Sequence, residues 1–497
     1  MAGLDSFISG GSQKSKLAGL FSKGVGLIYA DALEALTKDA ELLDKVVSLA
    51  NLPPEITMQF LEEVRSPKRT DLIPQSSNVS PPIPDNGSAG EAEEAKVVWK
   101  YLASPSVGKQ SFLNLFASRY RKISRMLWSR PQLKSAASIS NIRRIRENHQ
   151  VTVIGLISNI STLKDGRKIL EVEDPTGSIT VLVQRAMKGI DELVLDEVVG
   201  VVGRPGRDII FAENIFSPDI PSINNWPENA KSKAVFVADI HAGSKKFNEN
   251  IWIDFVKWVN QRKDIKYIFV GGDLVDGVGI YKGQDKEIDF ETVEEEFQYL
   301  RKLLDKISPT KRLIVIPGNH DPTNDSEPRQ PIPREFAKPI YQMPNVQLLS
   351  DPAWVNVEGV CILMYHGTSF DGLISSTDSI RENAYDRPTL AQKLLLKKRH
   401  LSPIFGRNRV LPNNEDHLVI QQVPHVFFTG HVHTVDMSNY RGVRLVSAGS
   451  FQERTDFQKK LGHHPTPGRF VEMDLSTGES KIIDFSHGEP TSMNFEN

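Results

Sequence analysis

The sequence predicts a multidomain α/β protein: a small helical N-terminal module, a compact β-barrel, and a larger domain in which strands alternate with amphipathic helices. Three observations lead there. The chain of 497 residues is too long for one ordinary core. Residues 149–216 carry short β-type runs in close succession, among them "QVTVIGLIS", "KILEVEDPTGSITVLV" and "DIIFAENIF". From residue 232 on, apolar runs such as "KAVFVAD", "KYIFVGGD" and "RLIVIPGNHD" alternate with helical patterns, the signature of a helix-flanked sheet.

Composition limits the function classes. Hydrophobic residues make up 39% and charged residues 25%, close to a globular average. The 60 Lys+Arg against 62 Asp+Glu give a net charge of -2, which excludes a uniformly basic nucleic-acid coat and leaves only local patches for such contact. One cysteine, Cys361, excludes an internal disulfide and any thiolate metal cluster. No apolar run approaches a membrane span, and the N-terminus lacks a compact apolar core before a cleavage site. A cytosolic chain with no membrane contact is the expectation.

In chain order, residues 1–65 form the helical module, with Leu33, Leu36, Leu42, Leu43, Val46, Val47, Ile56, Phe60 and Leu61 at helical spacing. Residues 66–95, rich in Pro, Ser and Gly, form a flexible linker. Residues 96–147 read as helical, with Arg119, Arg121, Lys122, Arg125, Arg130, Arg143, Arg144 and Arg146 around Tyr120 and Trp128. That strip is either a solvated face or a phosphate-tracking surface. Residues 148–225 form the barrel, for which the oligonucleotide-binding (OB) type leads; Asp174-Pro175-Thr176-Gly177 is its hairpin turn. Either it binds nucleic acid or it serves as a packing platform, since no aromatic pair marks a binding face. Residues 230–488 form the large domain, where Val293, Phe297, Leu300, Leu304 and Ile307 define one apolar helix face.

The chemistry sits where those apolar runs end. "VFVADIH" ends in Asp239 and His241, "IFVGGD" in Asp273, and "IVIPGNHD" in Asn319, His320 and Asp321. "CILMYHG" supplies His366, and "VFFTGHVH" supplies His431 and His433. Ligands of open α/β sheets gather at the carboxyl ends of strands, so these segments can converge on one metal site. A single histidine there is more often structural, but a set of oxygen and nitrogen donors after five separate apolar runs points to a cation.

The order D-x-H, G-D, G-N-H-D, H-G and G-H-x-H, in "DIHAGS", "GGDLVDG", "GNHD", "YHG" and "TGHVH", resembles the calcineurin-like metallophosphoesterases over residues 232–486. The resemblance implies a four-layer αββα fold and two divalent cations. It places one cation on Asp239, His241, Asp273 and His433, and the other on Asp273, Asn319, His366 and His431, with Asp273 bridging. It favours manganese, with iron or zinc as alternatives, and implies that His320 protonates the leaving group or stabilises the phosphorane-like charge, with Asp321 either orienting that histidine or capping a helix before "PTNDSEP".

The upstream order of helices, linker and barrel, with "FASRYRKISRMLWSRPQL", "LLLKKRHLSPIFG" and "DFQKKLGHHPTPGR", resembles the small subunits of archaeal D-family DNA polymerase over most of residues 96–486. More distantly it is similar to the eukaryotic B-subunits, a family that has lost its metal ligands. The resemblance implies a 3′-to-5′ proofreading exonuclease acting on DNA beside a large polymerase subunit. A non-catalytic scaffold subunit and a stand-alone phosphoesterase are the alternatives. His463 and His464 line a DNA channel or belong to a turn held by Pro465 and Pro467. Arg399 and His400 are a solvated helix end or a phosphate contact. Near the start, "QKSKLAGLF", with Leu17, Leu20 and Phe21 but no paired aromatics, resembles a sliding-clamp-binding peptide.

Overall fold

The computed structural model describes residues 27–28, 35–36, 38–48, 55–56, 61, 95–101, 108–142, 149–280 and 283–494. Leu17, Leu20, Phe21, Arg143, Arg144, Arg146 and residues 66–94 of the expected linker lie outside them. Two compact units result, Met1–Asp85 and Asn86–Asn497. In the first, strands β1 (Leu27–Ile28) and β2 (Glu55–Ile56) pair in parallel, and helix α1 (Ala40–Ser48) buries Leu42, Leu43 and Val46; Leu36 and Leu61 are buried as well. Ile56, expected on a helix, is in a strand.

The second unit opens with a departure from expectation. Residues 96–100, read as helical, form strand β3 (Lys96–Lys100), which pairs antiparallel with a strand more than 250 residues later. Helix α2 (Lys109–Trp128) follows, then the short α3 (Ile139–Ile142). Next come strands β4 (Val151–Thr162), β5 (Lys168–Asp174), β6 (Gly177–Val183), β7 (Val198–Pro205) and β8 (Ile209–Phe216). They close a barrel in the order β4-β5-β6-β8-β7 around Val153, Ile157, Leu170, Val181, Val201 and Ile210, all buried.

The large domain carries the remaining strands: β9 (Lys233–Val237), β10 (Ile265–Val270), β11 (Arg312–Val315), β12 (Val346–Leu348), β13 (Ala353–Val357), β14 (Val360–Met364), β15 (Val426–Thr429), β16 (Asp436–Tyr440), β17 (Val443–Ser447), β18 (Arg469–Asp474), β19 (Ser480–Asp484) and β20 (Thr491–Asn494). Between them lie helices α4 (Glu249–Gln261), α5 (Val293–Leu304), α6 (Arg334–Tyr341), α7 (Phe370–Ser376), α8 (Thr389–Lys398) and α9 (Asp456–Leu461). One sheet runs β12-β11-β10-β9-β18-β19-β20 and the other β16-β17-β15-β14-β13-β3.

Strand alternation explains how both faces fill. Val235 and Val237 of β9 join the cluster that holds Trp252 and Phe255 of α4 and Phe297 and Leu300 of α5. Their neighbours Ala234 and Phe236 point the other way, into a cluster with Ile362, Met364, Val426 and Phe428 of the second sheet. There Phe236 stacks on Phe269 and meets Phe428 edge-on, each at 5.0 Å between centroids. Helix ends are set locally: Thr292 and Glu295 form a capping box that starts α5.

The basic strip divides: Arg125 is exposed and Arg121 half-buried, whereas Arg119, Lys122 and Arg130 are taken up in structural contacts. Arg119 is fully buried; its Nε donates to Asp416 at 2.9 Å, and its Nη1 to the carbonyls of Asp196 and Pro403. Lys122 donates to the Asp416 carbonyl and Arg130 to that of Pro218. On the apolar side of the helix, Ile123 and Leu127 pack on Ile154 and Val198 of the barrel. The "KKRH" segment is buried too: Lys398 pairs with Glu197 at 2.7 Å, and His400 with Asp416 at 2.9 Å. Helix, barrel and large domain are thus joined through buried charge.

Burial would raise the Asp416 carboxyl, but His400 and Arg119 hold it far below the usual range. Removing Asp416 leaves the Arg119 guanidinium unpaired in the interior. Asp416→Ala is therefore expected to cost about 3–5 kcal/mol, read from urea unfolding, whereas Lys459→Ala on the exposed helix α9 should change stability little.

Candidate metal centre

The parallel pairs β9–β10, β10–β11 and β14–β15 put five carboxyl ends side by side. Asp239 and His241 follow β9, Asp273 follows β10, Asn319 and His320 follow β11, His366 follows β14, and His431 and His433 follow β15. Donor atoms of Asp239, His241 and His433 lie within 4.8 Å of one another. The same holds for Asp239, Asp273 and His366, and for His241, Asp273 and His320. All but Asn319, His320 and His431 are buried.

Five of these residues turn the chain through the left-handed region: Asp239, His241, Asp273, His431 and His433, with φ of 54°, 50°, 49°, 75° and 57°. Each such residue costs of order 1–3 kcal/mol and persists only where its surroundings over-determine it. Here they do. Asp239 N donates to the Gly272 carbonyl, His241 N to that of Asp273, and Thr466 N to that of His433. Glycine is required where carboxylates crowd the backbone: a Cβ on Gly318 would overlap Asp273 Oδ1, and Gly272 itself has φ +97°.

Every histidine of the cluster faces inward with one ring nitrogen and is held from behind by the other. His241 Nε2 lies 3.1 Å from His433 Nε2, while its Nδ1 meets Asp276 Oδ1 at 3.0 Å. His366 Nε2 and His431 Nδ1 each lie 2.9 Å from Asn319 Oδ1. Behind them, His366 Nδ1 donates to the Gly271 carbonyl at 2.8 Å, and His431 Nε2 meets Asp371 Oδ2 at 3.1 Å. The Gln458 amide lies 3.1 Å from His433 Nδ1. Bracing of this kind fixes ring orientation in metal-ligating histidines.

Electrostatics agree with a cation site. Burial and the neighbouring Asp273 push the Asp239 carboxyl well up. Burial opposes ionisation of Asp273 as well, but His366, His320 and His241 hold it well below the ordinary carboxylate range. Burial lowers His366, and burial together with His241 lowers His433 strongly, which leaves neutral imidazoles suited to ligation. His241 goes the other way: burial would lower it, yet Asp276 and the two carboxylates lift it to about 9.

Asp321 is placed differently from the expectation that it orients His320. Its carboxylate accepts backbone N–H groups of Gly318, Leu274 and Val275, and thus staples the "GNHD" turn to the end of β10. The His320 ring is set instead by the Asp276 carbonyl, 2.7 Å from Nδ1. Asp276, Asp371 and Gln458 escaped the sequence reading. Only Asp276 left a signal, as the second carboxylate of "GGDLVDG". His463 stacks on Tyr385 at 4.1 Å, and His464 lies 3.5 Å from Asp386.

Comparison with known proteins places the chain at two levels. Residues 234–436 match the family of DNA polymerase alpha/epsilon B-subunits, a segment that contains every donor of the strand-end cluster. The "DNA polymerase II small subunit" of Methanothermobacter thermautotrophicus is 38% identical, over 75% of this chain and 78% of that one. The protein of the same name from Archaeoglobus fulgidus is 33% identical, over 86% and 88%. The chain belongs to the archaeal DNA polymerase II small subunits, those of the D-family enzyme. Among solved structures, Vacuolar Protein Sorting 29 from Cryptosporidium parvum aligns at 14% identity and a TM-score of 0.30, over 54% of this chain and 98% of that one. Among the described residues no helix is long and apolar enough to cross a membrane.

Near neutral pH a cation entering the site must displace the proton on His241 and the one that burial favours on Asp239, so affinity should rise with pH up to about 9. Calorimetric titration of Mn²⁺ in two buffers of different ionisation enthalpy should show those protons leaving. Asp276→Ala removes the group that lifts His241; the proton release should diminish, and affinity should fall about 10–100-fold.

Proposed function

We propose that the chain is the proofreading subunit of its polymerase: a metal-dependent 3′-to-5′ exonuclease that removes nucleotides from a DNA primer end. The observation that carries this reading is the intact donor set, in which four braced imidazoles, two buried carboxylates and one amide oxygen converge from five strand ends. The left-handed ligand turns and the two buried carboxylates support a site kept for a cation.

Asp239, His241, Asp273 and His433 would hold one cation, and Asp273, Asn319, His366 and His431 the other. Oxygen and nitrogen donors suit manganese, with iron or zinc as alternatives. Two bound divalent cations supply a water of lowered pKa and neutralise charge on the phosphate oxygens. His320 commits Nδ1 to the Asp276 carbonyl, which leaves Nε2 to give its proton to the leaving 3′ oxygen as the P–O bond breaks. Asp276 thereby serves His241 with its carboxylate and His320 with its carbonyl.

The partners in this reading are DNA and a large polymerase subunit. The barrel is taken as an OB-type platform and the large domain as a four-layer αββα phosphoesterase, with the buried charges of α2 and α8 fixing one against the other.

The decisive assay uses a 5′-labelled single strand and a mismatched primer-template with Mn²⁺, the chain being tested alone and with its large subunit. A ladder shortening from the 3′ end is expected. Asp273→Asn and His431→Ala should abolish it, and His320→Ala should slow it by about 10²–10⁴-fold. No ladder under either condition would leave a scaffold subunit.

A further inference from the structure

Two loops beside the donor cluster meet in an aromatic pair. Tyr385, between α7 and α8, and His463, just past α9, stack with ring centroids 4.1 Å apart and planes 24° apart. Both are half-buried. The same loops approach again where His464 Nδ1 lies 3.5 Å from Asp386.

Each ring is tied to a different histidine of "TGHVH". Tyr385 Oη donates to Asp371 Oδ1 at 2.7 Å, and Asp371 Oδ2 lies 3.1 Å from His431 Nε2. On the other side, His463 N donates to the Gln458 carbonyl at 2.9 Å, and the Gln458 amide lies 3.1 Å from His433 Nδ1. Thr466, three residues on, donates from its backbone N to the His433 carbonyl at 2.8 Å. The rings are thereby held at a fixed offset from both halves of the cluster. Bracing the histidines uses the Tyr385 hydroxyl and the Gln458 amide; it does not use the aromatic faces.

An aromatic face beside a phosphodiester site has one natural ligand in a nucleic acid, the face of a base, and such stacking tolerates any sequence. A terminal base that stays paired is held in the duplex by its partner and its inner neighbour, and must leave that stack before its adjoining phosphodiester can turn into a protein site. We propose that the Tyr385–His463 stack is the platform that receives the unpaired terminal nucleobase of a DNA strand while the adjoining phosphodiester lies at the donor cluster. The proposal rests on the exonuclease reading and sharpens its substrate to frayed, mismatched or single-stranded 3′ ends.

The test uses the full chain assembled with its large subunit, and 5′-labelled oligonucleotides ending in thymidine or in an abasic tetrahydrofuran residue. Wild type should show a KM about tenfold lower for the base-bearing end. Tyr385→Leu and His463→Ala should erase that preference, chiefly through KM. Tyr385→Phe should keep it, because the ring survives although the bond to Asp371 is lost. Unchanged preference in the Leu and Ala variants would overturn the platform. So would a Phe variant as impaired as the Leu variant, which would assign the tyrosine to holding Asp371 alone. Wild type degrading neither oligonucleotide would instead overturn the exonuclease reading.

Discussion

The large domain is organised around two carboxylates buried within reach of one another. Asp239 and Asp273 are 0% and 2% exposed, and both have an oxygen within a group of atoms spanning 4.8 Å. At that separation two unit charges repel by about 3–4 kcal/mol even at an effective dielectric of about 20, a large part of a typical domain's stability. Relief comes from a proton on one of them, from imidazolium partners, or from a cation. The surroundings supply only part of it. His366, His320 and His241 favour the ionised Asp273, while Asp239 is left strongly disposed to hold a proton. A divalent cation would answer both demands at once, in place of the proton on Asp239.

That constraint reaches outward through the backbone. A carboxylate can sit in the interior beside Gly318 only because no side chain occupies the space, and five donor residues take left-handed turns to face inward. These turns are sustained because the strands before them are rigid, buried on both faces and locked by aromatic contacts between the sheets. The buried charges that fix the barrel and α2 follow a different logic. Arg119–Asp416 and Lys398–Glu197 add little net stability compared with apolar replacements. They do penalise any docking geometry that leaves one member alone.

The strand ends were legible in the sequence because His, Asn and Asp seldom follow a run such as "VFVAD" or "VFFTG" unless something holds them there. Their partners were not legible. Asp371 and Gln458 are ordinary polar residues of short helices, and their roles arise from contacts 60 and 25 positions away in sequence. The strand Lys96–Lys100 was missed for a similar reason. "KVVWK" is short and stands before a long helix, and it becomes an edge strand only through β13. Arg119 shows the opposite failure: a helix rich in arginine reads as solvated until Asp416, 297 residues on, arrives to neutralise it.

The pair in "TGHVH" shows how much a two-residue interval can specify. On a regular strand the two imidazoles, two residues apart, would lie on one face and compete for one position. Both residues instead adopt positive φ, and they present different nitrogens. His431 turns Nδ1 toward Asn319 and is held at Nε2 by Asp371. His433 turns Nε2 toward His241 and is met at Nδ1 by Gln458. The inward nitrogen differs, so the reach from the backbone differs, and one short turn serves two separated groups of donors. Sequence order alone cannot encode that division; it is set by Asp371 and Gln458, which hold each ring from behind.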